Sequence, residues 1–386
     1  MSRSLLDELC RRIRENENRA INFEEYMELC LYHPQWGYYM RPGTKIGREG
    51  DFYTSASVGS VMGEAIAEVW LRLLSCDGLK GRVAIVEWGG GDGRMAKHIL
   101  DRWRAAASDL YANVRYDIIE AGPSHREAIR LRLAEHGGRV RVFASEEEWV
   151  RERDFRAAVT IGLANEFLDA FPVRRVRVES GVIREIGVAW NEKREALEEV
   201  LLPASPEVEA FLQRGGIRLA EGQTAELPLR AVKWVSALSG VLPRPAHLFI
   251  IDYGDTADEL YAVHRFRGTL MTYRRHVAST DPYEAPGEQD LTAHVDFSAV
   301  MRAAEHAGFT VERYETQLSF LLRAGALEQG VQHVHGGAGV GEGPVARLRG
   351  AAEVPRQGGE LAVRRLVPGE HPPGEIGGVH DRVGGR

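Results

Sequence analysis

Apolar positions along the chain change their period part-way. Up to about residue 79 they recur every three or four residues, in "LLDELCRRIRENE", "NFEEYMELCLY" and "VMGEAIAEVWLRLL", which predicts three helices. Asn22 is placed to cap the second, with Glu25 three residues later completing a capping box. Between the second and third lies "HPQWGYYMRPGTKIGREGDFYTSASVG", rich in aromatics, glycine and small hydroxyls, and a connection this long predicts a functional loop. From Arg82 short apolar runs alternate with amphipathic ones. "RVAIVEW", "VRYDIIEA", "RVRVFAS", "AAVTIGLANE" and "HLFIIDYG" read as strands one to five, and "GRMAKHILDRWRAAA" and "SHREAIRLRLAEH" as helices, the pattern of a parallel sheet covered on both faces. After strand four, "VRRVRVESGVIREIGVAW" predicts a hairpin turning at Ser180-Gly181, followed by an acidic segment and helices to about Gly240. The final periodic stretch, from Thr292 to Gly325, adds a helix, a turn at Gly308 and a strand that could finish the sheet.

The predicted organisation is an N-terminal helical segment with its long loop (1–79), a Rossmann-like α/β core (80–190), an insertion before strand five (191–245), the remainder of the core (246–328) and a tail (329–386). No aromatic residue follows Phe320, and the tail runs on in Gly, Arg, Pro, Val and Glu. Such a segment buries too little apolar area to offset its ordering entropy, which predicts disorder from about Gln329.

Composition narrows the class without naming a partner. At 386 residues and 44% hydrophobic, the chain can build one large domain or two smaller ones. A formal charge of -7, with no broad basic segment, offers no general attraction for nucleic acid or anionic lipid. Cys10, Cys30 and Cys76 show neither a CxxC pair nor a disulfide framework, which suits a reducing compartment. The first twenty residues lack the apolar centre of a signal peptide and are too acidic for a transit peptide, and no later run reaches membrane length. These features predict a cytoplasmic protein that does not insert into membranes.

The candidate chemistry begins at "VEWGGGDG". A strand that ends in Glu87 and passes through Gly89, Gly91 and Gly93 into a helix forms a turn whose glycines permit tight bends and close approach by a ligand. Glu87 would repel a pyrophosphate there, which disfavours a nicotinamide-dependent oxidoreductase, whereas a cation such as S-adenosylmethionine meets no such repulsion. Glu120, at the end of strand two in "YDIIEAGPS", is placed to accept hydrogen bonds from both ribose hydroxyls of an adenosine ligand. The spacing E-x-G-x-G-x-G with a second acid one βα unit later is a methyltransferase signal. The alternative is an ordinary glycine-rich turn with both acids solvated.

"GDFYTSASVGSVMGEAIAEVW", "EWGGGDG", "ANEFLDAFPV", "IIDYGD", "GTLMTYRRH" and "DLTAHVDFSAV", in this order, closely resemble the MidA family of class I S-adenosylmethionine-dependent methyltransferases, over about Asn22 to Gly325. Mitochondrial members are protein arginine methyltransferases that act on a respiratory complex I subunit and assist its assembly. The resemblance therefore implies a class I fold, S-adenosylmethionine as cofactor, no metal, and a protein arginine as acceptor. A small-molecule acceptor, or a catalytically weak assembly factor retaining the cofactor site, are the alternatives, and a homodimer is left open. "ANEFLDAFPV" follows strand four, the strand tip that faces the reacting methyl in this fold. Glu166 is the first choice for binding the acceptor nitrogen, with Asn165 and Asp169 orienting it; alternatively Asn165 or Asp169 caps a following helix and Glu166 is solvated. "GDFYTS" resembles the family's cofactor-side lid, with Asp51, Thr54 and Ser55 as polar contacts, or as caps of the helix starting near Val58. His276 and His294 are candidate acid/base or structural residues, and Asp252 and Tyr253 are placed over the cleft to bind acceptor. Beyond Gly325 relatives carry a further helix and strand with a P-x-x-M-G type stretch that this chain lacks. The abrupt loss of aromatics, Lys, Ser and Thr suggests translation of a GC-rich region in another frame.

Overall fold

The structure is a computed structural model; it describes residues 4–42, 60–76, 81–153, 156–275 and 277–325, together with the backbone of 358–365. Asp51, Thr54, Ser55 and His276 lie outside the described residues. In chain order the strands are β1 (Ala20–Asn22), β2 (Val83–Trp88), β3 (Val114–Ile119), β4 (Val140–Phe143), β5 (Val159–Asn165), β6 (Arg174–Glu179), β7 (Val182–Asn191), β8 (Ala196–Pro203), β9 (Thr224–Leu227), β10 (Ala246–Asp255), β11 (Met271–Arg274), β12 (Val277–Ser279), β13 (Asp290–Thr292), β14 (Val295–Asp296), β15 (Thr310–Thr316) and β16 (Gly358–Arg365).

Strands one to five of the sequence reading are β2, β3, β4, β5 and β10, and they pair in parallel in the order β4-β3-β2-β5-β10. The order reverses between β2 and β5, so two consecutive-looking loops diverge there and leave a crevice at the carboxyl ends of the strands. Every residue of β5 is buried, as its near-continuous apolar sequence requires for a strand covered on both faces. One face is packed by the helices Val61–Cys76 and Arg94–Ala106, with Trp70 and Trp103 at its centre. The other is packed by Leu229–Val241 and Phe297–His306.

Three features differ from the sequence reading. The hairpin β6–β7 turns at Ser180 and Gly181, both with positive φ, but it belongs to a second, antiparallel sheet (β1-β7-β6-β9, with β8 on β7) rather than to the core. The insertion therefore begins at about residue 174, not 191, and the acidic segment within it is β8, a partly buried strand that pairs antiparallel with β7. Second, the N-terminal segment is not wholly helical: Ala20–Asn22 pairs with Gly187–Ala189 and ties the first helices to the insertion. Asn22 Oδ1 does cap its helix by accepting the Glu25 N–H at 2.9 Å, while the Glu25 carboxylate pairs with Arg12 at 3.2 Å. Third, composition predicts disorder from about Gln329, yet residues 358–365 form β16, antiparallel between β10 and β15. A buried strand such as β10 cannot leave one edge of N–H and C=O groups unpaired, and "ELAV" offers a β-compatible run to pair it. No described helix is long and apolar enough to cross a membrane.

Candidate active site

At the crevice between β2 and β5 opens a cavity of about 620 Å³. Its floor is the glycine turn. Gly89, Gly91 and Gly93 all have positive φ (68°, 54° and 81°), a region that side-chain-bearing residues rarely adopt, and the helix Arg94–Ala106 starts directly after Gly93. Space is equally restrictive: a Cβ at Gly89 would lie 2.7 Å from the Phe167 ring.

Glu120 ties this turn to the tip of β3. Its Oε2 accepts the Gly91 N–H at 3.0 Å and its Oε1 the Gly122 N–H at 2.7 Å, with His125 Nδ1 3.5 Å from Oε1, and the carboxylate lines the cavity. Glu87 is deeper, 2% exposed, and accepts the Tyr116 hydroxyl at 2.8 Å. Burial pushes its carboxyl up to about 8, against the opposing effect of that hydrogen bond. A buried carboxyl held this way becomes a strong anion only when a cation arrives beside it.

The opposite wall is the turn after β5. Asn165, Glu166 and Asp169 all line the cavity, so the structure brings the three residues together at one strand tip. No helix follows, and Phe171 leads into β6, so capping does not explain Asn165 or Asp169. Asn165 is 9% exposed and its Oδ1 has no hydrogen-bond partner among the described residues. A buried amide oxygen in that state costs about 1–3 kcal/mol unless a ligand donor satisfies it. Glu166 sits at φ 49°, a strained conformation for a residue with a side chain, of the kind that clusters at ligand sites. The Asp169 carboxyl is pushed well up by burial and then by the charges of Asp252, Asp290 and Glu166.

Asp252 does not line the cavity. Its Oδ2 accepts the N–H groups of Phe167, Leu168 and Asp169 at 3.0, 2.7 and 3.3 Å, which corrects its placement as an acceptor contact: a strand-end acid next to a turn was claimed by that turn's backbone. Tyr253 and His294 do line it.

Several cavity residues were not anticipated. Tyr32 and Tyr39 from the N-terminal segment stack at 5.5 Å between centroids, and Tyr39 donates to Asp290 Oδ1 at 2.8 Å. Both phenols are pushed well up by burial and stay neutral donors. Ala144, Ser145, Glu146 and Glu147 close the cavity at the tip of β4, where Glu146 Oε2 accepts the indole N–H groups of Trp88 (2.8 Å) and Trp234 (3.3 Å). The acids of "FASEEE" at a strand end beside Glu120 were a usable signal. Tyr39 and Asp290 carried none, being 251 residues apart.

Nine acids line the cavity: Glu28, Glu87, Asp92, Glu120, Glu146, Glu147, Glu166, Asp169 and Asp290. Against them stand two arginines, and these are already paired: Arg94 with Asp92 at 2.9 Å, Arg230 with Glu24 at 3.0 Å and with Glu28. Acids outnumber arginines in this lining, and Glu87 and Asp169, pushed toward the proton-bound form by burial, are brought back to their anionic form by a cation, so the cavity favours cationic ligands.

The family model described as "Putative S-adenosyl-L-methionine-dependent methyltransferase" matches residues 61–315. The chain belongs to this family. Its cofactor is S-adenosylmethionine, and the glycine turn, Glu120 and Glu87 at one end of an acid-lined cavity fit such a cation. A crystal structure of a Burkholderia thailandensis protein bound to S-adenosyl-homocysteine is 29% identical, with a TM-score of 0.80 over 94% of this chain and 92% of that one. Among curated proteins, the mitochondrial protein arginine methyltransferase NDUFAF7 homolog of Drosophila melanogaster is 29% identical over 74% of this chain, and its Mus musculus counterpart 27% over 74%. The chain spans 66% of the length of each of these two relatives.

Proposed function

We propose that this methyltransferase transfers its methyl group to a guanidinium nitrogen of a protein arginine. The observation that carries the reading is the wall formed by Asn165, Glu166 and Asp169: an unpartnered buried amide oxygen and two carboxylates at one strand tip. A guanidinium offers five N–H donors in a plane, is cationic at neutral pH, and is matched by several convergent acceptors. The names of the curated relatives point the same way.

The bound cofactor supplies a sulfonium methyl, an electrophile that needs no metal. The residues of the chain do the rest by orientation and proton handling. Glu166 and Asn165 Oδ1 hold the acceptor N–H groups so that one nitrogen lone pair faces the methyl carbon, the main contribution in an in-line displacement. As the N–C bond forms and the C–S bond breaks, the acceptor nitrogen must lose a proton. Asp169, whose carboxyl is raised by burial and by its acidic neighbours, is the base that takes it. Tyr32, Tyr39 and Trp234 line the cavity with aromatic surface that keeps bulk water from the reacting atoms.

The test is incubation with tritiated S-adenosylmethionine and total protein from cells lacking the gene, followed by acid hydrolysis and separation of methylated amino acids. Label in methylarginines supports the reading; label confined to other residues, or to small molecules, contradicts it.

A further inference from the structure

Asp252 is 3% exposed and lies behind the cavity wall, where backbone amides donate to it. A buried carboxylate without a cation is costly unless donors surround it, and here all of them come from the backbone. Its Oδ1 accepts the N–H of Tyr253 at 2.8 Å, and its Oδ2 those of Phe167, Leu168 and Asp169. The N–H of Glu166 itself is bound to Ile251 O at 2.7 Å. Four consecutive amides after β5 are thus fastened to the end of β10. The segment they belong to is not helical, and Glu166 within it holds φ 49°. Such a conformation persists only where its surroundings over-determine it.

We propose that Asp252 is a positioning residue for methyl transfer: by accepting the N–H groups of Phe167, Leu168 and Asp169, it fixes the left-handed turn that presents Glu166 and Asp169 to the acceptor. This rests on the acceptor reading given above for those two residues. Asp252 acts through them and touches neither acceptor nor cofactor. Its neighbour Ile251 pairs with Asn165 and accepts the Glu166 N–H, so the end of β10 works as a template for the loop after β5.

Amide hydrogen exchange and transfer kinetics on Asp252→Ala, Asp252→Asn and Glu166→Gln test this together. With Asp252→Ala, the amides of 167–169 should exchange faster by a factor on the order of 100, and kcat should fall by about the same factor, since a displacement near 1 Å costs that much. The affinity for S-adenosyl-homocysteine and the KM for S-adenosylmethionine should stay unchanged, which a general loss of structure would not allow. Asp252→Asn, which keeps one acceptor oxygen, should recover part of kcat and serves in place of the alanine variant if that chain fails to fold. In a Glu166→Gln background the Asp252 substitution should add little further loss, because both act through one geometry. Unchanged exchange at 167–169, or wild-type kcat in a folded Asp252 variant while Glu166→Gln is impaired, overturns the proposal. Wild-type transfer by Glu166→Gln would instead defeat the acceptor reading, and the exchange data would still decide whether Asp252 fixes the turn.

Discussion

The two ends of the cavity are built on different principles. The cofactor end is local: Glu87, Gly89, Gly91 and Gly93 fall within seven residues of sequence, and Glu120 follows one βα unit later. Its backbone does most of the shaping, through three positive-φ glycines and two amide bonds to one carboxylate. The end proposed for the acceptor is assembled from afar. The turn that carries Glu166 and Asp169 is fastened to β10 through Ile251 O and the Asp252 carboxylate, while Tyr32, Tyr39 and Asp290 come from segments that meet only in the folded chain. The first end binds a ligand of fixed shape, so it can be a compact motif. In the proposed reaction the second must orient a nucleophile to fractions of an ångström, and that precision comes from the tertiary frame.

If the two ends are functionally separate, substitutions should split transfer from cofactor binding. The largest effect falls on Glu166→Gln, which should lower kcat by about 10² to 10⁴-fold while leaving S-adenosylmethionine affinity within about threefold. Rate and affinity measured on the same preparation check this. Gly89→Ala should act at the other end. Its positive φ and the 2.7 Å approach to Phe167 together predict an affinity loss of about 100-fold, with much of kcat recovered at saturating cofactor. Glu120→Ala should weaken cofactor binding by about 10 to 50-fold, the loss of charge-assisted hydrogen bonds, and calorimetry reads it directly.

Glu87 gives the effect that depends most sharply on pH. Its folded carboxyl titrates near 8 against 4.5 for the unfolded chain, so between those values the folded state binds the extra proton. Stability of the empty protein should therefore fall as pH rises from about 4.5 to 8, by on the order of 3 kcal/mol by pH 7, and level off above. Glu87→Gln should flatten that slope and raise the melting temperature at pH 8 while weakening cofactor binding. In the native protein, a cation bound beside Glu87 restores its ionisation. Binding at pH 7 should then release a proton, seen as a dependence of the calorimetric heat on the buffer's ionisation enthalpy.

The same contrast explains what could be read from the sequence. Strands β2 to β5 and β10 were legible because parallel strands buried on both faces are short apolar runs between amphipathic helices. The glycine turn was legible because positive φ selects glycine at fixed offsets. The second sheet was not: β8 reads as a charged segment because its Glu198 and Glu199 break the apolar run of a strand that is only partly buried, and β1 is three residues long. Asp252 was visible as a strand-end acid, but its role depends on which neighbouring backbone has unpaired amides, a property of the folded turn after β5. Tyr39 and Asp290 could not be connected across the length of chain that separates them. β16 was missed because its composition argued for disorder, while the open edge of β10 that it pairs is a demand of the sheet alone.

The measurement closest to the central claim is calorimetric titration of S-adenosylmethionine into Glu120→Ala and Glu166→Ala side by side with the native chain. Separate ends predict that Glu120→Ala binds about 10 to 50-fold more weakly whereas Glu166→Ala binds within about threefold of native. Equal losses in the two variants would mean that the cavity works as one undivided site, and the assignment of Glu166 to the acceptor would fall.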